Sequence, residues 1–261
     1  MGIKTDLVAY LVYCALAAHL YAAAALALRR RVFGRTAFAT GFAACAGAFV
    51  VRWVQLGHAP LEGMFDVFLA LGMLVWPLSL LARRVLGAEG EAAHAVMAGV
   101  VLFAAGFVFD AGREPLPVML QSALFIPHVG AYMLAYVVML MGAVQALMQL
   151  AAPAGGELAA RREAATWRLV RVGFPLLTAG LVLGAVWGKR AWGDWWHWDV
   201  KELWSLATWL IFAGYLHLRA ALGGRGQRVC SAAVLAGAAA IGMTLLWVNM
   251  GGAVSLHAHG L

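Results

Sequence analysis

Four tryptophans, Trp192, Trp195, Trp196 and Trp198, fall within seven consecutive positions. His197 stands among them, and Asp194, Asp199, Lys201 and Glu202 lie alongside. The stretch Trp187–Trp209 holds seven of the chain's eleven tryptophans. Such a surface beside apolar runs can do two things. It can anchor a protein at the lipid–water boundary, where Trp and Tyr are enriched. It can also form a flat, rigid, apolar platform for a flat, apolar ligand. Anchoring asks for about one or two aromatics per helix end, so this density favours the platform.

Outside this stretch the residues able to do chemistry are scattered histidines and one arginine. His128 follows Pro127 at the start of an apolar run. Taken alone, it reads as an interfacial polar group at a helix end. His257 and His259 sit in the C-terminal tail and, alone, read as surface residues. His217 lies within an apolar run two residues before Arg219. An ionisable group at membrane depth is costly and often functional; the other reading is a bond to a neighbouring helix. His19 reads as a packed polar residue, and His94 as a solvated group near a helix start. Arg52 is a lone charge about one turn from the end of its run, which points to snorkelling.

The elements that must position these groups are membrane helices. The chain has 261 residues, 64% hydrophobic and 12% charged. Soluble domains are nearer half apolar and a quarter charged. Apolar runs of about 20 residues cross a bilayer as helices, and they are expected at 7–28, 37–56, 66–82, 92–110, 128–150, 169–187, 204–221 and 229–249. The fold class is therefore all-α: a polytopic integral membrane protein of about eight spans, with 1–261 as a single domain. The first run is too long for the apolar part of a signal peptide and is expected to be retained.

Orientation follows from Lys and Arg. Thirteen of the nineteen stand in or beside the loops after spans one, three, five and seven, and five on the opposite side, with Arg52 inside a span. The positive-inside rule then places both termini and the tryptophan-rich segment 187–205 outside. The net charge of +7 is accounted for by this loop placement and does not call for nucleic acid. Cys14, Cys45 and Cys230 lie far apart in apolar runs with no C-x-x-C, and read as small packing residues.

The run Trp198-Asp199-Val200-Lys201-Glu202-Leu203-Trp204-Ser205-Leu206 continues through Thr208-Trp209 to Tyr215-Leu216-His217-Leu218-Arg219. It resembles the "WWD" segment of the haem-handling proteins of cytochrome c assembly. The most similar branch is the CcsA/ResC type, whose pattern reads W-G-x-x-W-x-W-D-P-K-E-x-W-S-L; Val200 replaces the usual proline. His128 in Pro-His-Val-Gly resembles that family's first external haem-ligand histidine. His257 in Leu-His-x-x-Gly resembles the second, with His259 as the alternative. His217 matches the family's membrane-embedded haem ligand. Gly57-His58-Ala59-Pro60-Leu61 also resembles a family loop, and a part in positioning the haem pocket is its mildest reading.

The resemblance implies a subunit of a system II cytochrome c synthase in a bacterial inner membrane. It would bind haem b and present it outside for thioether attachment to the Cys-x-x-Cys-His of apocytochrome c. The implied activity is that of a haem lyase, together with a CcsB/ResB-type membrane partner. Trp192, Trp195, Trp196, Trp198 and Trp204 would form the platform. Asp199 and Glu202 would order the loop through Lys201 or the indoles. Lys189, Arg190 and Lys201 would meet the propionates, for which Arg52 is a further candidate. Two other readings remain: a CcmC-like haem chaperone or exporter subunit, which has six spans, and a transporter of a non-haem solute.

Overall fold

The computed structural model describes residues 6–112, 116–153 and 155–247. Among these there is no strand, and eight helices are long and apolar enough to span a membrane. The helices are α1 (Leu7–Ala27), α2 (Arg31–Leu56), α3 (Met64–Val85), α4 (Glu91–Phe103), α5 (Phe125–Leu150), α6 (Glu157–Trp192), α7 (Val200–Leu222) and α8 (Gln227–Gly242). The fold is all-α, as the composition requires. α4 and α8 each run on into a π turn, Ala104–Val108 and Met243–Trp247.

Several boundaries depart from the apolar runs; α2 starts at Arg31 rather than 37, and α6 ends at Trp192 rather than 187. α6 extends twelve residues before the expected 169, because Glu157, Arg161 and Arg162 are good helix formers outside any apolar stretch. α7 begins at Val200 rather than 204, because Asp199 caps it: the Asp199 Oδ1 accepts the Glu202 N–H at 2.8 Å. The π turn closes α4 at Val108, short of 110.

The helices gather into two compact units, Met1–Leu81 with Gly90–Val118 and Ala82–Glu89 with Met119–Leu261. In the first, the core joins Val12 and Ala15 of α1, Cys45 and Ala48 of α2, Phe65 and Leu69 of α3 and Leu102 of α4. His19 is fully buried between α1 and α2; its Nδ1 lies 2.6 Å from the Ala15 carbonyl and its ring meets Phe38 edge-on. Its reading as a packed polar residue stands.

Arg52 does not snorkel. It is buried, and its Nε donates to Asp66 Oδ1 at 2.8 Å. Its Nη2 donates to Asp66 Oδ2 at 3.3 Å and to the Gly112 carbonyl. The Phe65 ring lies 5.7 Å from the guanidinium carbon. An arginine out of water is tolerable only with such partners. Arg52 thereby ties the end of α2 to the start of α3 and to the segment after α4. His94 is not solvated either: it is fully buried and bonded to Ser79 Oγ at 2.8 Å, so it joins α4 to α3. Of the cysteines, Cys45 and Cys230 are buried packers, whereas Cys14 is exposed.

In the second unit, α5 and α6 pack through a glycine register. His128, Tyr132 and Met139 on α5 are four and seven residues apart. Gly184, Gly180 and Gly173 on α6 repeat that spacing in reverse. A β-carbon on Gly184 would stand 2.6 Å from His128 Cε1, and one on Gly180 2.8 Å from the Tyr132 ring. One on Gly173 would meet the Met139 sulfur at 3.0 Å. Each α5 side chain is a knob resting on bare α6 backbone, which is how membrane helices come close without a hydrophobic drive. The register sets the height of His128 along α6.

α7 is tied to α6 at three levels. The Trp209 indole N–H donates to Thr178 Oγ1 at 2.9 Å, Tyr215 meets the Trp167 ring, and Arg219 pairs with Glu163. α8 closes on α5 through Ser231 Oγ donating to Gln149 Oε1 at 2.9 Å. The Phe212 ring of α7 packs against Gly237 of α8.

Candidate functional site

Successive helices of the second unit reverse direction through short connections, so one end gathers the start of α5, the end of α6 and the start of α7. His128 lies in the first turn of α5 at this end. Its Nδ1 is 2.8 Å from the Gly180 carbonyl of α6. Its ring meets Tyr132 edge-on at 5.2 Å between centroids and leans on Trp187 at 5.7 Å.

Trp187 is the buried centre of this end. It is 3% exposed, and its indole N–H donates to the Met119 carbonyl at 3.1 Å. Its ring contacts Phe125, His128 and Trp192. Trp192 then meets the His197 ring at 6.1 Å. Rings therefore run without a gap from His128 through Trp187 and Trp192 to His197. The structure brings His128 and the tryptophan-rich segment together.

The segment itself is held by backbone geometry. α6 ends at Gly193, whose φ of +93° suits glycine and whose N–H bonds back to the Lys189 carbonyl. The Lys189 ammonium also donates to the Gly193 carbonyl. At the far side Asp199 caps α7, and the Glu202 Oε2 reaches back to accept the His197 N–H at 2.7 Å. This is close to a capping box, with the carboxylate reaching two residues further back. Asp199 and Glu202 each accept a backbone N–H here, whereas the pairing expected for them was with Lys201 or the indoles.

Between these anchors the tryptophans differ. Trp196 and Trp198 meet edge-on at 6.1 Å. Trp195 and Trp198 are 58% and 67% exposed. Trp198 also holds a φ of +60°. A bulky residue in that region costs about 1–3 kcal/mol, and such strain collects at functional sites. The strained conformation leaves a large indole in the open, whereas burial would recover about 1.5–3 kcal/mol for a large apolar side chain. Trp204 and Lys201 are half-buried in the first turns of α7, where the Ser205 hydroxyl donates to the Lys201 carbonyl and Thr208 to the Trp204 carbonyl. Arg190 is exposed at the end of α6.

His217 is not part of this end. It lies 17 residues along α7 from Val200, about 25 Å at the usual rise. It is exposed on the outside of the unit, while Tyr215 and Arg219 on either side of it turn toward α6. His257 and His259 lie outside the described residues.

Sequence reasoning missed Trp187 as the pivot and missed Gly180 and Gly184 as the bed of His128. The signal was present: glycines four apart in an apolar run, a spacing associated with close helix contact, with a tryptophan three residues on.

Residues 59–255 match the family described as Cytochrome C assembly protein. The chain is 31% identical to the cytochrome c biogenesis protein CcsA of Synechococcus sp. (strain CC9311), over 85% of this chain and 86% of the relative. It is 29% identical to that of Synechococcus elongatus, over 83% and 84%, and 29% to that of Parasynechococcus marenigrum, over 81% of each. Taken with eight membrane-type helices and the tryptophan-rich segment, these matches place the protein in cytochrome c maturation as a multi-pass membrane protein: the chain belongs to the cytochrome c assembly protein family, with relatives of the CcsA type.

Proposed function

We propose that the chain binds haem b at the His128 end and presents it there to apocytochrome c, as a subunit of a system II cytochrome c synthase. The observation that carries this reading is the unbroken run of rings from His128 to His197, beside two exposed tryptophans held by capped helix ends. The donor chemistry fits. A flat macrocycle stacks on indoles, its iron takes neutral imidazole, and its propionates pair with cations such as Arg190. His128 is one axial ligand and His257 of the tail the other, with His259 as the alternative.

The macrocycle supplies two vinyl groups, and each cysteine S–H of Cys-x-x-Cys-His adds across one C=C bond, the proton going to the second vinyl carbon. No oxidant and no leaving group is needed. The chain's part is to hold the reactants in one geometry. No side chain of the site has to act as a nucleophile. His217, exposed on α7, receives haem at the other end of the span together with a histidine of a CcsB/ResB-type partner. The site then faces the outside of a bacterial inner membrane.

Substitution tests the assignment. His128→Ala and His257→Ala should each abolish cytochrome c maturation and weaken the haem absorption of the purified protein. Added imidazole should restore part of both by filling the vacated iron position. Full maturation in either variant removes that residue from the ligand pair. If His257→Ala is active and His259→Ala is not, the tail ligand is His259.

A further inference from the structure

We infer that α6 fixes the tautomer of His128: the Gly180 carbonyl keeps the ring proton on Nδ1, so Nε2 is the nitrogen offered to iron. This deepens the proposed haem site and rests on it for the role of Nε2. The tautomer itself rests on geometry alone.

A carbonyl oxygen can only accept, so a His128 Nδ1 at 2.8 Å from it must carry the proton. In the neutral ring the lone pair is then on Nε2. The carbonyl has two lone pairs, so it can serve His128 and its own helix together. Gly184 makes the approach possible. A β-carbon there would stand 2.6 Å from Cε1 and 2.9 Å from Nδ1, so any larger residue pushes the ring off the carbonyl. Tyr132 and Trp187 close two further sides of the ring, and the Met119 carbonyl holds Trp187 in turn. These contacts hold the ring in place with the proton on Nδ1. Metal-bound histidines commonly donate their second N–H to a carbonyl, which fixes orientation and raises basicity. Here that partner is built into the glycine register of α5 and α6. Gly184 and Trp187 act through His128 and are positioning residues.

The test uses the full chain, purified without haem and labelled with nitrogen-15 in histidine. The His128 signals are assigned by their absence in His128→Ala. At a pH where the ring is neutral, Nδ1 should show the protonated, pyrrole-type shift and Nε2 the pyridine-type shift. The reverse pattern, or an even mixture, overturns the inference. Gly184→Ala should lose the fixed pattern and bind haem about 10–100-fold more weakly, as loss of such outer partners does. Unchanged haem affinity and unchanged shifts in that variant also overturn it. If Gly184→Ala does not accumulate, the shifts of the unmutated protein decide alone. The two readings fail separately. A pyrrole-type Nδ1 in a protein whose His128→Ala variant matures cytochromes normally retains the tautomer and removes the iron ligand.

Discussion

The Glu202 carboxylate on α7 accepts the backbone N–H of His197 at 2.7 Å, and its own N–H donates to Asp199 at 2.8 Å. This one side chain folds the tryptophan-rich segment back onto the helix that follows it. The His197 Nδ1 stands 3.8 Å from the same carboxylate. Glu202 thus fixes the backbone at His197, the last member of the aromatic run that begins at His128.

Glu202→Ala should therefore release the segment without unfolding the helices. A hydrogen bond to a charged acceptor is worth about 1.5–3 kcal/mol. Cytochrome c maturation should fall roughly ten-fold or more, while the amount of membrane-inserted protein stays the same. Glu202→Gln keeps an oxygen acceptor and should retain most of the activity. Equal activity in Glu202→Ala and the unmutated protein would show that the segment does not depend on this bond.

The Arg52–Asp66 pair leads to a stability prediction. Both groups are buried, at 3% and 4% exposure. Removing one partner of a buried pair leaves an uncompensated charge and costs about 3–5 kcal/mol. Arg52→Leu and Asp66→Leu should each lower the unfolding temperature and the yield of the purified protein. The double substitution should recover much of both, since neither charge is left alone. Single variants as stable as the parent would show that the pair is dispensable to the fold.

How much of this was legible in the sequence depended on whether a signal was local. The eight apolar runs are local, and the helices stand on them. Asp199 and Glu202 are three residues apart, and their ordering role could be read from spacing. The partner of Arg52 lies fourteen residues on in another helix, and no periodicity connects the two. His94 failed for the same reason: Ser79 sits fifteen residues back across a helix pair. The bed of His128 is 52 residues away at Gly180 and emerges only once α5 and α6 take register. Local pattern yields elements and caps, whereas the partners of buried polar groups come from packing.

His217 should behave as a ligand group and not as a packing group. It is exposed on α7. Surface substitutions usually change stability by no more than about 0.5 kcal/mol. His217→Ala should accumulate normally when co-expressed with the proposed CcsB/ResB-type partner. The quantity to measure is haem per mole of the purified complex, which should fall several-fold even with His128 and His257 intact. Haem content equal to that of the parent complex would remove His217 from the entry site.

The last prediction concerns sidedness, which the uneven spread of Lys and Arg sets. The charge rule puts the tryptophan-rich segment and the C-terminal tail outside, and the turn Gly223–Gly226 inside. These places can be probed singly once Cys14, Cys45 and Cys230 are replaced by alanine. Asp194→Cys lies between the end of α6 and the start of α7 and is exposed. Arg225→Cys lies in the exposed turn between α7 and α8. In intact cells an impermeant thiol reagent should label Asp194→Cys and, in the tail, His259→Cys. Arg225→Cys should react only after lysis. α7 alone separates Asp194 from Arg225, so labelling of both in intact cells would mean that α7 does not cross the membrane. Labelling of Arg225→Cys alone would invert the orientation and place the tryptophan-rich segment inside.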